Sequence, residues 1–170
     1  FKIVSNFIGT SHAIKKDVFL KLGGYPTNFL RQEEEIYFSL ELLKNNFFVA
    51  TIKCDFILHY ESPKRNLRTI FYYWSRNYLL TSYRFYPFKN FILNFILQLP
   101  KLLIRQYSKN VNRKGFYLIS IVSGFMSGVI NLKTIRRDSL SNSQFKLFKK
   151  LRKQPLEIEI CNEILANDKK

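Results

Sequence analysis

The sequence predicts an α/β chain that runs on into an α-helical, amphipathic appendage. Three observations lead there. Up to about residue 87, short runs of β-branched and aromatic residues alternate with helical periodicities. Beyond that point, polar residues recur every three or four positions within long apolar stretches. The charge is also unevenly placed: 14 basic residues and one acid, Asp138, lie between Phe88 and Lys153, which accounts for +13 of a formal net +16. The boundaries drawn on this basis are 1–87, 88–153 and a tail at 154–170.

Phe1 to Ile14 reads as strand, turn and strand, with Gly9-Thr10-Ser11 breaking two apolar stretches. Asp17 is placed to cap a short helix, Val18 to Leu22, which stops at Gly23 because glycine takes the left-handed cap conformation. A loop, Tyr25-Pro26-Thr27-Asn28, precedes a helix from about Glu34 to Leu43. In that helix Ile36, Leu40 and Leu43 share a face, and Asn45-Asn46 ends it. Phe47 to Ile52 and Phe56 to His59 read as short strands, and the tail from Pro155 as mixed and frayed.

Asn66 to Phe85 reads as an aromatic helix around Arg76-Asn77, closed by Pro87. In the next helix, Lys89 to Tyr107, the residues Asn90, Asn94, Gln98, Lys101 and Arg105 form a narrow polar stripe, and Pro100 introduces a kink. Gly115 to Leu132 holds 18 residues without a charge and a stripe of Ser120, Ser123, Ser127 and Asn131. Gly124 and Gly128 have the GxxxG spacing that lets this helix pack closely on Lys89–Tyr107. A last helix, Ser143 to Leu151, is strongly basic.

At 46% hydrophobic and 16% aromatic, the chain is too apolar to be disordered. Its 28 Lys and Arg against 12 Asp and Glu call for an anionic partner. The two cysteines, Cys54 and Cys161, belong to no metal or disulfide pattern, and free thiols are expected. The chain opens at Phe1 with no signal-peptide pattern and reads as starting mid-domain. No nucleic acid is expected as a partner: no RNA- or DNA-binding motif is evident, and the broad apolar faces suit lipid or protein better than phosphates.

Glu33-Glu34-Glu35 stands at a helix start just after Gly23-Gly24-Tyr25, with His59 beyond it at the end of an apolar run. Acids there offset the positive end of the helix dipole, each by about 0.3–1 kcal/mol, and need no further role. Carboxylates and an imidazole on one scaffold can also supply a general base and a metal ligand. His59 taken alone is as readily a hydrogen-bonded residue at a strand end.

The order Gly9-Thr10-Ser11, Ala13-Ile14-Lys15-Lys16, Gly23-Gly24-Tyr25, Glu34-Glu35 and His59-Tyr60-Glu61-Ser62-Pro63 resembles the second half of the catalytic domain in the family 2 inverting glycosyltransferases. The resemblance implies a partial GT-A fold, its C-terminal half, over residues 1–87. It implies that Glu35 is the base that deprotonates the acceptor hydroxyl, with Glu34 as its paired acid, and that crowding by like charges raises the carboxylate pKa. Gly9, Ser11, Gly23, Gly24 and Tyr25 would then contact substrate, and His59 would face the metal-diphosphate site. Arg76, in an Arg-Asn pair shared with rhamnosyl- and related transferases, would meet the diphosphate or an anionic acceptor. The chain has no Asp-x-Asp, the motif of the family's first half, so the nucleotide-binding half is expected to be missing, and with it most of the Mg²⁺ or Mn²⁺ site.

The partners expected on this resemblance are a nucleotide-sugar donor and a glycan or lipid-linked acceptor. The basic helices add an anionic membrane surface, and the expected location is cytoplasmic, peripheral on the inner face of the cell membrane. The alternative from another class is a non-catalytic, basic amphipathic module that binds membranes or polyanions, its acids merely capping a helix.

Overall fold

A computed structural model describes residues 1–52, 58, 66–109 and 116–166. The α/β expectation is overturned: the protein is mostly helical, 63% by residue, with seven α-helices and one two-stranded sheet among the described residues. It is not an α/β half of a GT-A domain. The chain forms two compact units whose limits differ from the sequence boundaries. Unit 1 comprises Phe1–Pro26, Glu34–Glu61 and Ser139–Lys170, and unit 2 comprises Thr27–Glu33 and Ser62–Asp138.

In unit 1 the sheet consists of β1 (Lys2–Val4) paired antiparallel with β2 (Val49–Thr51), with Ile3 opposite Ala50. The second strand expected before Ile14 does not form, and the strand expected at 56–59 lies outside the described residues save Leu58. A short apolar run becomes a strand only where a neighbour satisfies its backbone. Here β1 finds its other neighbour in the tail: Ile3 and Leu156 exchange both backbone hydrogen bonds, at 2.8 and 3.0 Å.

Helix α1 spans Lys16–Lys21, with Lys15 rather than Asp17 at its N-cap and Asp17 in the first turn. Its end is a Schellman motif. Gly24 N–H donates to Phe19 O at 2.9 Å, Gly23 N–H donates to Leu20 O at 3.1 Å, and the φ angles are +81° at Gly23 and +65° at Gly24. Helix α2 spans Glu34–Lys44 and buries Phe38, Leu40, Leu42 and Leu43, with Asn46 at φ +61° just beyond it.

The helices α3 (Leu67–Phe85), α4 (Phe88–Lys109) and α5 (Phe116–Asn131) make up most of unit 2, and a 3-10 turn, Leu132–Thr134, follows. Asn66 caps α3 by accepting from Thr69 N–H. The glycine pair Gly124/Gly128 seats α5 on α3, not on the preceding helix as the sequence suggested. A Cβ at Gly124 would collide with the Tyr72 carbonyl oxygen, and one at Gly128 would lie 3.2 Å from Arg76 O. Tyr72 facing Gly124 and Arg76 facing Gly128 set the two helices parallel. Helix α4 runs antiparallel to α3: Tyr83 meets Phe91, Tyr78 donates to Asn94 at 2.9 Å, and Gln98 donates to Ser75 O at 2.9 Å.

Back in unit 1, α6 (Asn142–Leu151) opens with a capping box between Ser141 and Gln144. The Gln144 amide also donates to Leu43 O and Lys44 O, both at 3.1 Å, so one side chain closes the start of α6 and the end of α2. The described part of the tail forms a helix, α7 (Ile158–Ala166), which buries Cys161 and Ile164.

Candidate functional site

Unit 1 contains seven of the residues singled out in the sequence: Gly9, Ser11, Gly23, Gly24, Tyr25, Glu34 and Glu35. Ser11 N–H donates to Ile8 O at 3.2 Å, closing a turn that carries Gly9 at the surface. Glu35, in the first turn of α2, lays its carboxylate against Gly9. A Cβ at Gly9 would run into Glu35 Oε1 and stand 3.4 Å from the carboxyl carbon. Only a residue without a side chain lets the acid occupy that place. Glu34 and Glu35 are both half-buried, and the Ser39 hydroxyl donates to Glu35 O at 2.6 Å.

Tyr25 follows the two left-handed glycines, which turn the chain sharply after α1. Its ring lies edge-on to Phe19 and Phe38, centroids 5.2 and 5.7 Å away, and Phe38 is fully buried on α2. Gly24 needs its missing side chain here as well as its φ, since a Cβ would come within 2.9 Å of the Phe19 ring. Burial raises the Tyr25 phenol above its ordinary pKa, and the negative charges of Glu35 and then Glu34 push it further the same way. The phenol therefore stays neutral at physiological pH in the field of both carboxylates.

His12 is exposed. Its Nε2 is 3.1 Å from the Tyr25 hydroxyl and its Nδ1 3.3 Å from Ile8 O. A carbonyl can only accept, so in the neutral ring Nδ1 carries the proton and Nε2 accepts from the phenol. Nothing in the spacing of the sequence announces this pair, because His12 and Tyr25 are separated by α1.

Arg76 and the first acid of the triplet belong to unit 2. Arg76 is buried, and its guanidinium donates to Asn28 O at 3.1 Å and to Asn77 Oδ1 at 2.8 Å. Asn77, fully buried, donates to Arg31 O at 2.8 Å and Gln32 O at 3.0 Å. Trp74 donates its indole N–H to Glu33 Oε1 at 3.0 Å. These bonds hold a loop in which Gln32 and Glu33 have φ +65° and +71°, values that side chains rarely tolerate. Glu33 is thus a buried structural acid, distinct from the Glu34-Glu35 pair. The Arg-Asn pair set in an aromatic helix hints at this clamp, but nothing in the spacing shows that its partners are loop carbonyls.

His59, the metal ligand implied by the resemblance, lies outside the described residues. Among the described residues no group of three or more His, Cys, Asp or Glu could hold a metal ion.

No protein-family model, curated protein or solved structure matches this chain.

Proposed function

We propose that this chain is the acceptor-side part of an inverting glycosyltransferase, one that moves a sugar from a nucleotide-sugar to a hydroxyl of a cell-surface polysaccharide or lipid-linked glycan. Support comes from residues and not from architecture, since the fold is not that of a GT-A half. The observation that carries the reading is the seating of the Glu35 carboxylate on Gly9, with the Tyr25 phenol held in its field.

In the reaction, Glu35 takes the proton of the acceptor hydroxyl as that oxygen attacks the anomeric carbon. The new C–O bond forms on the face opposite the bond that breaks. The configuration inverts, the proton ends on Glu35, and the bonding electrons leave with the nucleotide diphosphate. The bare backbone of Gly9 leaves room for the acid, and Tyr25 offers a second polar contact to the acceptor sugar. The chain contains no Asp-x-Asp, so diphosphate binding falls to residues outside it. The proposed location is the inner face of the cell membrane, where a lipid-linked acceptor meets a water-soluble donor.

The test uses the longest open reading frame that contains the chain, assayed for nucleotide release and glycan product with UDP-, dTDP- and GDP-sugars. Glu35→Gln is expected to lower kcat by about 10²–10⁴-fold with donor KM nearly unchanged, as for loss of a positioned base. Glu33→Gln is expected to leave kcat within a few-fold, because that acid serves the Trp74 contact. An inactive Glu34→Gln beside an active Glu35→Gln moves the base by one residue. Full activity in both removes the carboxylates from the chemistry.

A further inference from the structure

Helices α4 and α5 bury apolar residues such as Phe91, Leu102, Ile121 and Phe125, yet they also turn polar residues inward and leave a second apolar face uncovered. In an amphipathic helix of a soluble protein the polar stripe faces solvent and the apolar stripe faces the core. Here Asn94 and Gln98 of the α4 polar stripe turn inward, to Tyr78 and to Ser75 O of α3, and Gln98 is 1% exposed. On α5, Ser127 turns inward to accept from the Tyr72 hydroxyl at 2.8 Å. The outward faces are apolar: Leu93, Ile96 and Ile104 on α4, and Ile119, Met126 and Ile130 on α5, with Ile96 at 62% and Ile119 at 70% exposure. So large an uncovered apolar surface marks an interaction site.

Charge identifies the occupant. Between Phe88 and Asp138 the sequence has nine basic residues and one acid. Lys89, Lys101, Lys133 and Arg136 are exposed. Two copies of this face brought together would set like charges against one another, and an anionic bilayer would neutralise them.

Two features argue against α5 crossing that bilayer. The stretch Tyr117–Thr134 has the length and composition of a span, with 22% of it buried. Helix α5 itself is 16 residues. At a rise of 1.5 Å per residue it is about 24 Å long, against a hydrocarbon core of about 30 Å. The glycine pair also ties α5, in parallel, to α3, which carries Arg68, Arg76 and Arg84 along its length. A spanning α5 would take Arg68 and Arg76 into hydrocarbon, while Arg84 lies level with Arg136 past the end of the span.

We infer that the outward faces of α4 and α5 form a lipid-docking surface that lies in the headgroup region of an anionic membrane, apolar side down and unit 2 otherwise in water. The inference stands on unit 2 alone and is independent of the transfer chemistry. The test is sedimentation of the full chain with vesicles of phosphatidylcholine containing about 30% phosphatidylglycerol, and with pure phosphatidylcholine.

Wild-type protein is expected to bind the anionic vesicles at least about tenfold more tightly than the neutral ones, with affinity falling as salt rises. Ile96→Asp and Ile119→Asp are expected to weaken binding at least about tenfold each while circular dichroism stays unchanged, since both sites are exposed. Leu20→Asp, at an exposed apolar position of unit 1, is the control and is expected to bind as wild type. In cells, alkaline carbonate is expected to release the protein from membranes. Absence of vesicle binding, binding indifferent to the two aspartates, retention through carbonate, or a dimer in solution that Ile96→Asp dissociates would each overturn the inference.

Discussion

Tyr25 shows how a single side chain is placed by everything around it. Two left-handed glycines aim it, two aromatic rings fix its plane, and His12 holds its hydroxyl. Its raised pKa has a measurable effect on stability. A folded value above the ordinary 10.0 means that the fold favours the neutral phenol. That contribution is fully present below pH 10.0 and is lost as pH rises through the higher folded value. Tyr25→Phe removes the titration. In urea melts the wild type is therefore expected to lose more stability than Tyr25→Phe as pH rises above 10.0, the other tyrosines being common to both. Equal losses would mean that neither burial nor the carboxylates raise the phenol. This environment was only half legible in the sequence. Gly23-Gly24 announced the turn and the order of motifs announced the acids, but the partnership with His12 joins residues 13 apart and exists only once α1 has formed.

At the scale of elements, the helices were legible wherever a period of three to four residues ran long enough. The spans α2 to α6 fall within a few residues of where periodicity and end signals put them. The strands were legible in part: the runs at the start of the chain and at Phe47 to Ile52 pair as β1 and β2, but the second run before Ile14 found no neighbour, because β-branched runs say nothing of which neighbour completes the ladder. Helix pairing was misjudged for a similar reason. A GxxxG spacing names a close approach but not its partner, and α3 accepts α5 where its backbone at Tyr72 and Arg76 is bare enough. Gly124→Ala drives a methyl into the Tyr72 carbonyl, a backbone atom that cannot swing away. The expected cost is about 1–3 kcal/mol in the denaturation midpoint. Gly128→Ala is expected to cost less, since the nearest atom, Leu79 Cδ2 at 3.0 Å, belongs to a side chain that can rotate. The reverse ranking would mean that the helices meet elsewhere.

At the scale of the whole molecule, neither unit is a continuous piece of chain. Unit 2 borrows Thr27–Glu33, and that loop supplies the carbonyls that Arg76 and Asn77 hold. Residues 62–138 expressed alone would bury a guanidinium and an amide short of acceptors, so they are expected to be at least about 2–3 kcal/mol less stable when the loop is left out than when it is fused back on. Chemical denaturation of the two polypeptides followed by circular dichroism decides this; equal stability would show that the clamp adds nothing. Unit 1 has the opposite arrangement, with its third segment arriving last. Ile3 takes its backbone partner from Leu156, so β1 waits for about 150 further residues before its ladder is complete. Closing a loop of that size costs about 4–5 kcal/mol of chain entropy, and nothing is gained until it closes. On a ribosome, α3 to α5 can assemble from neighbouring sequence while β1 still lacks Leu156. Within this stretch the helices are therefore set to assemble first, and a nascent chain stalled short of Leu156 would have its helical bundle made and its sheet still missing that partner.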